Sequence, residues 1–140
     1  TADGMERWIK LFSDEDGKIF DGIVADGKVI TRAKDREAAD LMQSWGFFMD
    51  WHGNRCIACN LGNRSSMMFK SVPKDKYDIM VAFINDGNQY TVSLYNEDGR
   101  VDVSEIAKKY GGGGHAGASG FQSKKWPFGD AKNIVRLQDV

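Results

Sequence analysis

Four consecutive glycines, Gly111 to Gly114, lead directly into His115, one of two histidines in the chain. The preceding segment, Val103 to Tyr110, carries apolar residues on one helical face, and Asp102-Val-Ser-Glu105 is a capping-box pattern at its start. A flexible linker has no such structured neighbours. The run therefore predicts a shaped loop, where glycine permits a left-handed helix end and a close backbone approach.

The residues of this loop allow more than one role. Successive N–H groups in a glycine-rich turn can form an anion site, and a helix starting near His115 would add its positive end. The spacing Gly112-x-Gly114-x-x-Gly117 matches a dinucleotide-binding fingerprint only formally, because a helix rather than a strand precedes it. A phosphate-binding loop and a structural helix junction both remain open on this basis.

Turn signals between β-rich segments predict a sheet. Asp86-Gly87-Asn88 separates Tyr77–Ile84 from Tyr90–Tyr95, which predicts a hairpin. Asp26-Gly27 separates the apolar residues of 19–24 from Val29-Ile30, which predicts a second hairpin. Further strands are expected at Cys56–Asn60 and Asn133–Val140.

Helical spacing appears in two further segments. Met5, Trp8, Ile9 and Phe12 recur at intervals of three and four, and the apolar residues of 38–45 form a stripe that Gly46 ends. Together with the predicted strands, these helices indicate an α+β fold, with a mixed central sheet and flanking helices.

Composition narrows the class of protein. The 140 residues are 41% hydrophobic and 28% charged, which is typical of one folded domain. A net charge of -1 argues against tight nonspecific duplex binding. No apolar stretch approaches the roughly 20 residues of a membrane span. Two cysteines do not make a disulfide framework, so we expect a cytoplasmic location.

The segment Val101–Phe121 resembles the signature of the DHHA1 domain, the C-terminal substrate-binding lobe of DHH-family phosphoesterases of the oligoribonuclease and phosphodiesterase type. Tyr77-Asp78, Val92–Tyr95 and Asn60 also resemble the family pattern and occur in family order. The resemblance divides the chain into residues 1–55, an N-terminal helix, hairpin and helix of the same domain that faces the other lobe, and residues 56–140, the DHHA1 core.

The resemblance implies a partner lobe and a substrate. In the family, an N-terminal DHH lobe holds two divalent metal ions, usually manganese, and the DHHA1 lobe closes over it to grip a nucleotide or short oligonucleotide. No Asp-His-His motif occurs in this chain. The chain is therefore expected to bind such a ligand without hydrolysing it and to hold no metal itself; a homodimer is a further possible assembly. The implied substrate-binding residues are Gly112, Gly113, Gly114 and His115, with Asn60, Arg64 and Ser93 as additional contacts.

His115 would orient the substrate and help to stabilise charge on the transferred phosphoryl group. The sequence departs from several nuclease members at Tyr95, where those proteins carry an arginine. That position then lacks a bidentate phosphate contact, and Tyr95 could stack on a base instead.

Other motifs have both a functional and a structural interpretation. Cys56-Ile-Ala-Cys59 has redox spacing and lies near His52, but a buried strand explains it better. The aromatic cluster could be a base-stacking platform or, as we expect, core; its members are Trp45, Phe47, Phe48 and Trp51. Three basic residues predict a solvated turn before a helix rather than a phosphate-steering patch; they are Arg32, Lys34 and Arg36.

Two alternative functions come from other classes. One is a stand-alone nucleic-acid-binding module, since DHHA1-like domains also accompany alanyl-tRNA synthetases. The other is a structural or oligomerisation domain in which the glycines serve packing only.

Overall fold

The computed structural model describes residues 4–6, 9, 13, 17–62 and 65–140. These fall into two compact units, Thr1–Arg36 and Glu37–Val140. Of the predicted first helix, Met5 and Ile9 are helical, while Trp8 and Phe12 lie outside the described residues. No helix in the described ranges is long and apolar enough to cross a membrane.

Helix α1, Lys18–Trp45, replaces the hairpin predicted around Asp26-Gly27, so that prediction is wrong. The apolar residues of 19–24 recur at intervals of one and three, which fits one helical stripe as well as two paired strands. Thr31 bonds the Gly27 carbonyl through its hydroxyl at 2.9 Å, a helical contact across the expected turn. The end of α1 at Trp45, immediately before Gly46, confirms the predicted stop.

A seven-stranded mixed sheet forms the centre of the second unit. Its spatial order is β5-β6-β4-β3-β2-β1-β7, with β2 and β3 parallel and all other neighbours antiparallel. The strands are β1 (Gly46–Trp51), β2 (Asn54–Cys59), β3 (Ile79–Asn85), β4 (Tyr90–Tyr95), β5 (Gly113–His115), β6 (Ala118–Ser123) and β7 (Lys132–Arg136). This sheet, with its flanking helices, confirms the α+β class.

The predicted hairpin of β3 and β4 is confirmed, with Asn85 paired with Tyr90 at the turn. The predicted helix is also confirmed as α2, Val103–Lys109, and the Asp102 side chain accepts from the Ser104 N–H at its start. The last strand is shorter than expected, because the chain turns into a 3₁₀ helix at Leu137–Asp139.

The two faces of the sheet are covered differently. On the face that we call the helical face, α2 packs against β4, β5 and β6, and its Val103, Ile106 and Ala107 belong to one buried cluster with alternate residues of β1 to β4. On the opposite face, Met42 of α1 and the 3₁₀ turn Ser66–Phe69 bury the intervening residues, which include Ile57 and Met80. Alternation with period two explains why neighbouring residues enter different clusters.

Candidate functional site

The glycine run is one arm of a β-hairpin. Gly113 to His115 form β5, which pairs with β6 so that Gly113 faces Gly120 and His115 faces Ala118. The expectation of a helix starting near His115 is therefore wrong. The chain leaves α2, returns as a strand and reverses at Ala116-Gly117. Because β5 is the edge of the sheet, one side of its backbone has no neighbouring strand among the described residues.

The left-handed helix end is confirmed at Gly111, whose φ is 82°. The Gly111 N–H donates to the Lys108 carbonyl at 3.0 Å, and the Gly112 N–H donates to the Ala107 carbonyl at 2.9 Å. This pair of bonds is a Schellman motif, which satisfies the last carbonyls of α2 and turns the chain toward β5.

The glycines of this segment meet different structural demands. A Cβ at Gly112 would lie 2.1 Å from the Gly120 carbonyl oxygen, and one at Gly120 would lie 2.7 Å from the Val92 carbonyl oxygen. Gly114 has a φ of 140°, and its Cβ would lie 2.6 Å from the Ser119 Cα. Gly113 has ordinary φ and nothing within 4 Å of an added Cβ. Packing therefore explains Gly112, Gly114 and Gly120 but not Gly113.

The opposite face of the sheet continues past its covered part as a surface that we call the open half. Met80 and Ala82 of β3 lie on this face, and they pair with Tyr95 and Ser93 of β4. Residues paired across neighbouring strands lie on the same face, so alternate residues of β4, β6 and β5 also lie on it. None of these residues is buried. The open half consists of Thr91, Ser93, Tyr95, Gly113, His115, Ala118, Gly120 and Gln122.

Three of the predicted substrate contacts share the open half. Ser93 faces Gly120, which faces Gly113, so two strand spacings of about 4.8 Å separate Ser93 from Gly113. His115 lies in the adjoining row with Tyr95, again two strands away. The predicted contacts Gly112 and Gly114 belong to the same segment, but an added Cβ at either position would clash with β6.

The two remaining predicted contacts lie differently. Asn60 is exposed and directly follows Cys59, which aligns through Ala82 with Ser93. Asn60 therefore lies at the end of β2, two strands from β4. Gly113 lies two strands from β4 in the other direction. Arg64 lies outside the described residues.

Asn96 is a positioning residue that the sequence interpretation missed. Its side chain is 5% exposed, donates to the Asp78 carbonyl at 2.8 Å and accepts from the Gly99 N–H at 2.8 Å. Its backbone N–H donates to the Gly117 carbonyl at 3.0 Å. Asn96 thus holds the tip of the β5–β6 hairpin against the end of β4. The pattern Asn-x-x-Gly after a strand is the signal of this turn.

A hydrogen bond between His52 and Tyr110 anchors the start of the glycine segment. The His52 Nε2 lies 2.6 Å from the Tyr110 hydroxyl, and the Tyr110 ring stacks on Phe121 with centroids 4.3 Å apart. Burial, followed by the positive charge of Lys109, holds the pKa of His52 below its usual value. The last residue before Gly111 is thereby fixed to the β1–β2 turn.

The cysteine pair is part of the core. Cys56 belongs to the cluster under α2 and Cys59 to the cluster on the opposite face, because a separation of three residues in a strand reverses the side chain. Burial raises the pKa of Cys56 to about 12 and that of Cys59 to about 11. Both thiols are therefore protonated at neutral pH. Within the described ranges, no group of three or more histidine, cysteine or acidic residues could hold a metal ion.

The aromatic cluster divides between core and surface. Phe48 and Trp51 are 5% and 2% exposed, which confirms the core prediction for them, and Phe47 packs against the same core. Trp45 is 63% exposed, so the core prediction is wrong for this residue, which is the last of α1. The basic residues Arg32, Lys34 and Arg36 lie within α1, so the turn predicted there is wrong.

Comparisons with known proteins identify the family. The family model of the DHHA1 domain matches residues 63–139, just over half of the chain. No curated protein matches the sequence.

Solved structures that resemble the chain include a pGpG-specific phosphodiesterase, PggH, from Vibrio cholerae, at 17% identity and a TM-score of 0.48 over 66% of this chain and 34% of that one. Another is an uncharacterized protein from Helicobacter pylori G27, at 19% identity and a TM-score of 0.46 over 56% of this chain and 23% of that one. The chain spans about a third or less of these proteins. On the family match, it belongs to the DHHA1 domain family.

Proposed function

We propose that the open half binds the phosphate of a nucleotide or short oligonucleotide, as the substrate-binding lobe of a DHH-type phosphoesterase. In this proposal a DHH lobe outside residues 1–140 supplies two divalent metals, usually manganese, together with the attacking water. The chain alone binds its ligand and does not hydrolyse it. The same proposal includes a cytoplasmic location, a homodimer, and the division of the chain into residues 1–55, which face the other lobe, and the DHHA1 core of residues 56–140.

The observation that carries the proposal is the position of Gly113. This glycine is exposed, has ordinary φ and has no atom within 4 Å of an added Cβ, so packing does not require it. A ligand that approaches the backbone of the edge strand would require it. Ser93 and His115 supply a hydroxyl and an imidazole on the same face, which suit the oxygens of a phosphate ester.

The spacing of the site favours a ligand longer than a single phosphate. Gly113 and Ser93 lie two strands apart, about 10 Å, and Asn60 lies beyond Ser93 at the end of β2. A ligand with a phosphate near His115 and a base near Tyr95 would use both rows of the open half. Tyr95 then stacks on a base where an arginine would have bound a phosphate.

A structural role is the second candidate, because packing accounts for Gly112, Gly114 and Gly120. A stand-alone nucleic-acid-binding module is the third candidate. The coding sequence upstream distinguishes it from the phosphoesterase lobe, which is the first candidate. An Asp-His-His lobe there supports the phosphoesterase, and a synthetase body supports the third candidate.

Isothermal titration with a 5′-phosphorylated linear diribonucleotide tests the proposal. His115→Ala is expected to weaken binding by roughly tenfold or more, the value of a hydrogen bond to a charged group. Gly113→Ala is expected to weaken binding without lowering the melting temperature. Glu105→Ala, an exposed change on α2, is the matched control. Unchanged binding in both site variants would favour the structural role.

A further inference from the structure

A cavity lies at the edge of the sheet that is farthest from the glycine strand β5. Its volume is about 540 Å³, within the range of roughly 300–1,000 Å³ that is typical of small-molecule sites. Phe48 of β1 and Val135 of β7, which face each other across the two strands, form part of its lining. Five strands separate β7 from β5, so this cavity is remote from the open half.

The lining of this cavity is apolar except for two cations. Val72, Pro73 and Leu137 complete most of the apolar wall beside Phe48 and Val135. Arg55 and Lys76 supply the positive charge, Val140 also lines the cavity, and among the described residues no acidic side chain does. The combination suits a ligand with an apolar body and one negative group.

Arg55 is already held in place for such a contact. Its Nη1 donates to Asp50 Oδ1 at 2.9 Å and to the Asn133 carbonyl at 3.0 Å, and its guanidinium carbon lies 5.3 Å from the Phe48 ring centroid. Asp50 Oδ2 accepts from the Asn133 amide at 2.6 Å, so both oxygens of this carboxylate are engaged. Within the described part of the chain these bonds use Nη1 alone, so Nη2 and Nε are available as donors to a second carboxylate.

Lys76 provides the second charge from the 3₁₀ turn Lys74–Lys76. Its neighbour Lys74 pairs with Glu97 at 2.8 Å, whereas Lys76 forms no ion pair within the ranges that the structure describes. A carboxylate bound there would therefore meet Arg55, which is held by hydrogen bonds, and Lys76, which has no ion pair among the described residues.

We propose that this cavity binds a small organic carboxylate with an acyl or aryl body, separately from the nucleotide site. The carboxylate contacts Arg55 and Lys76, and the body lies against Phe48, Val135 and Leu137. A carboxylate fits better than a nucleotide, because the wall offers few polar groups for a ribose or a base. The proposal adds a ligand site and does not depend on the function proposed for the open half.

Octanoate is the probe, compared by isothermal titration with 1-octanol and inorganic phosphate. We expect saturable binding of one octanoate per chain, and binding at least tenfold weaker for octanol, which lacks the charge, and for phosphate, which lacks the apolar body. Val135→Trp fills the cavity from a partly exposed position on an edge strand and should abolish octanoate binding. Lys76→Gln should weaken it on the order of fivefold, as for an exposed ion pair.

Lys124→Gln is the matched control, since it removes an exposed lysine away from the cavity and should leave octanoate binding unchanged. Melting curves of each variant check the fold. If Val135→Trp does not fold, Leu137→Trp, from the adjoining 3₁₀ turn, replaces it. The proposal fails if octanoate does not bind, if octanol or phosphate binds as tightly, or if a folded cavity-filling variant binds octanoate as the unmodified chain does.

Discussion

One face of the sheet behaves differently over its two halves. Over β2 and β3 it is covered by Met42, Met68 and Phe69 and is built from residues such as Ile57, Met80 and Ala82. Over β4, β6 and β5 it carries mainly small and polar residues, with Tyr95 packed at the border of the covered cluster, and none of these residues is buried. The same face of one sheet is therefore core over β2 and β3 and surface over β4, β6 and β5. Backbone and small polar groups become accessible where the covering elements end.

The largest effect is expected from removing the cover. Phe69→Ala deletes a fully buried ring from the cluster over β2 and β3, and should lower the free energy of unfolding by about 3–5 kcal/mol. Thr91→Ala, in the open half, should change it by less than about 0.5 kcal/mol. Urea unfolding of both variants measures the difference. Equal losses in the free energy of unfolding would show that the open half contributes as much to stability as the covered half does.

The next effect separates the glycines that packing requires from the one that it does not. Gly112→Ala places a Cβ 2.1 Å from a backbone oxygen and should cost about 1–3 kcal/mol in stability, as overpacking does. Gly113→Ala meets no atom within 4 Å and should leave stability nearly unchanged. Thermal unfolding of the pair is the measurement. A large loss in the second variant would mean that the edge strand is packed in a way that the structure does not show.

A smaller effect concerns α2, which covers the helical face beneath the open half. Asp102 accepts from the Ser104 N–H at 3.0 Å, so Asp102→Ala should cost about 1 kcal/mol. Glu105→Ala removes only an exposed ion pair with Lys108 at 2.9 Å and should cost less than about 0.5 kcal/mol. Chemical denaturation compares them. Similar losses of stability in the two variants would show that negative charge in the first turn of α2, rather than the Asp102 cap, stabilises the helix.

Local signals predicted the elements that lie around the open half. Asp86-Gly87-Asn88 and the cap at Asp102 act within a few residues, so the β3–β4 hairpin and α2 could be read from the sequence. The same kind of signal failed at Asp26-Gly27, because an Asp-Gly pair makes a hairpin only where two strands can pair, and residues 18–45 continue as one helix.

The site could be predicted only in part. Gly113, His115 and Ser93 were named from the resemblance, but their common face depends on β6 lying between β4 and β5, a pairing across about 25 residues. The cysteines show the reverse case. Their spacing is that of a redox motif, yet strand alternation places the two thiols on opposite faces, which composition alone does not reveal.

The smallest effect expected is a dependence of stability on pH that comes from His52, the anchor of the glycine strand. Burial and the charge of Lys109 lower its pKa in the folded chain, and Asp130 opposes them in part. As the pH falls through about 6.5, the unfolded chain takes up this proton before the folded chain does, so stability should decrease. The contribution is fully present above that pH and is lost toward acid.

His52→Asn tests the source of this dependence, because asparagine tolerates the φ of 48° at this position but cannot titrate. The variant loses the bond to Tyr110 and should be less stable at pH 8, with a flatter change between pH 8 and 5.5 than the unmodified chain. Urea midpoints at several pH values measure both quantities. If the midpoints of the variant and the unmodified chain change with pH in parallel, a group other than His52 causes the dependence. If the variant's curve is flatter and the variant also binds the diribonucleotide more weakly, the β1–β2 turn is coupled to the open half through Tyr110.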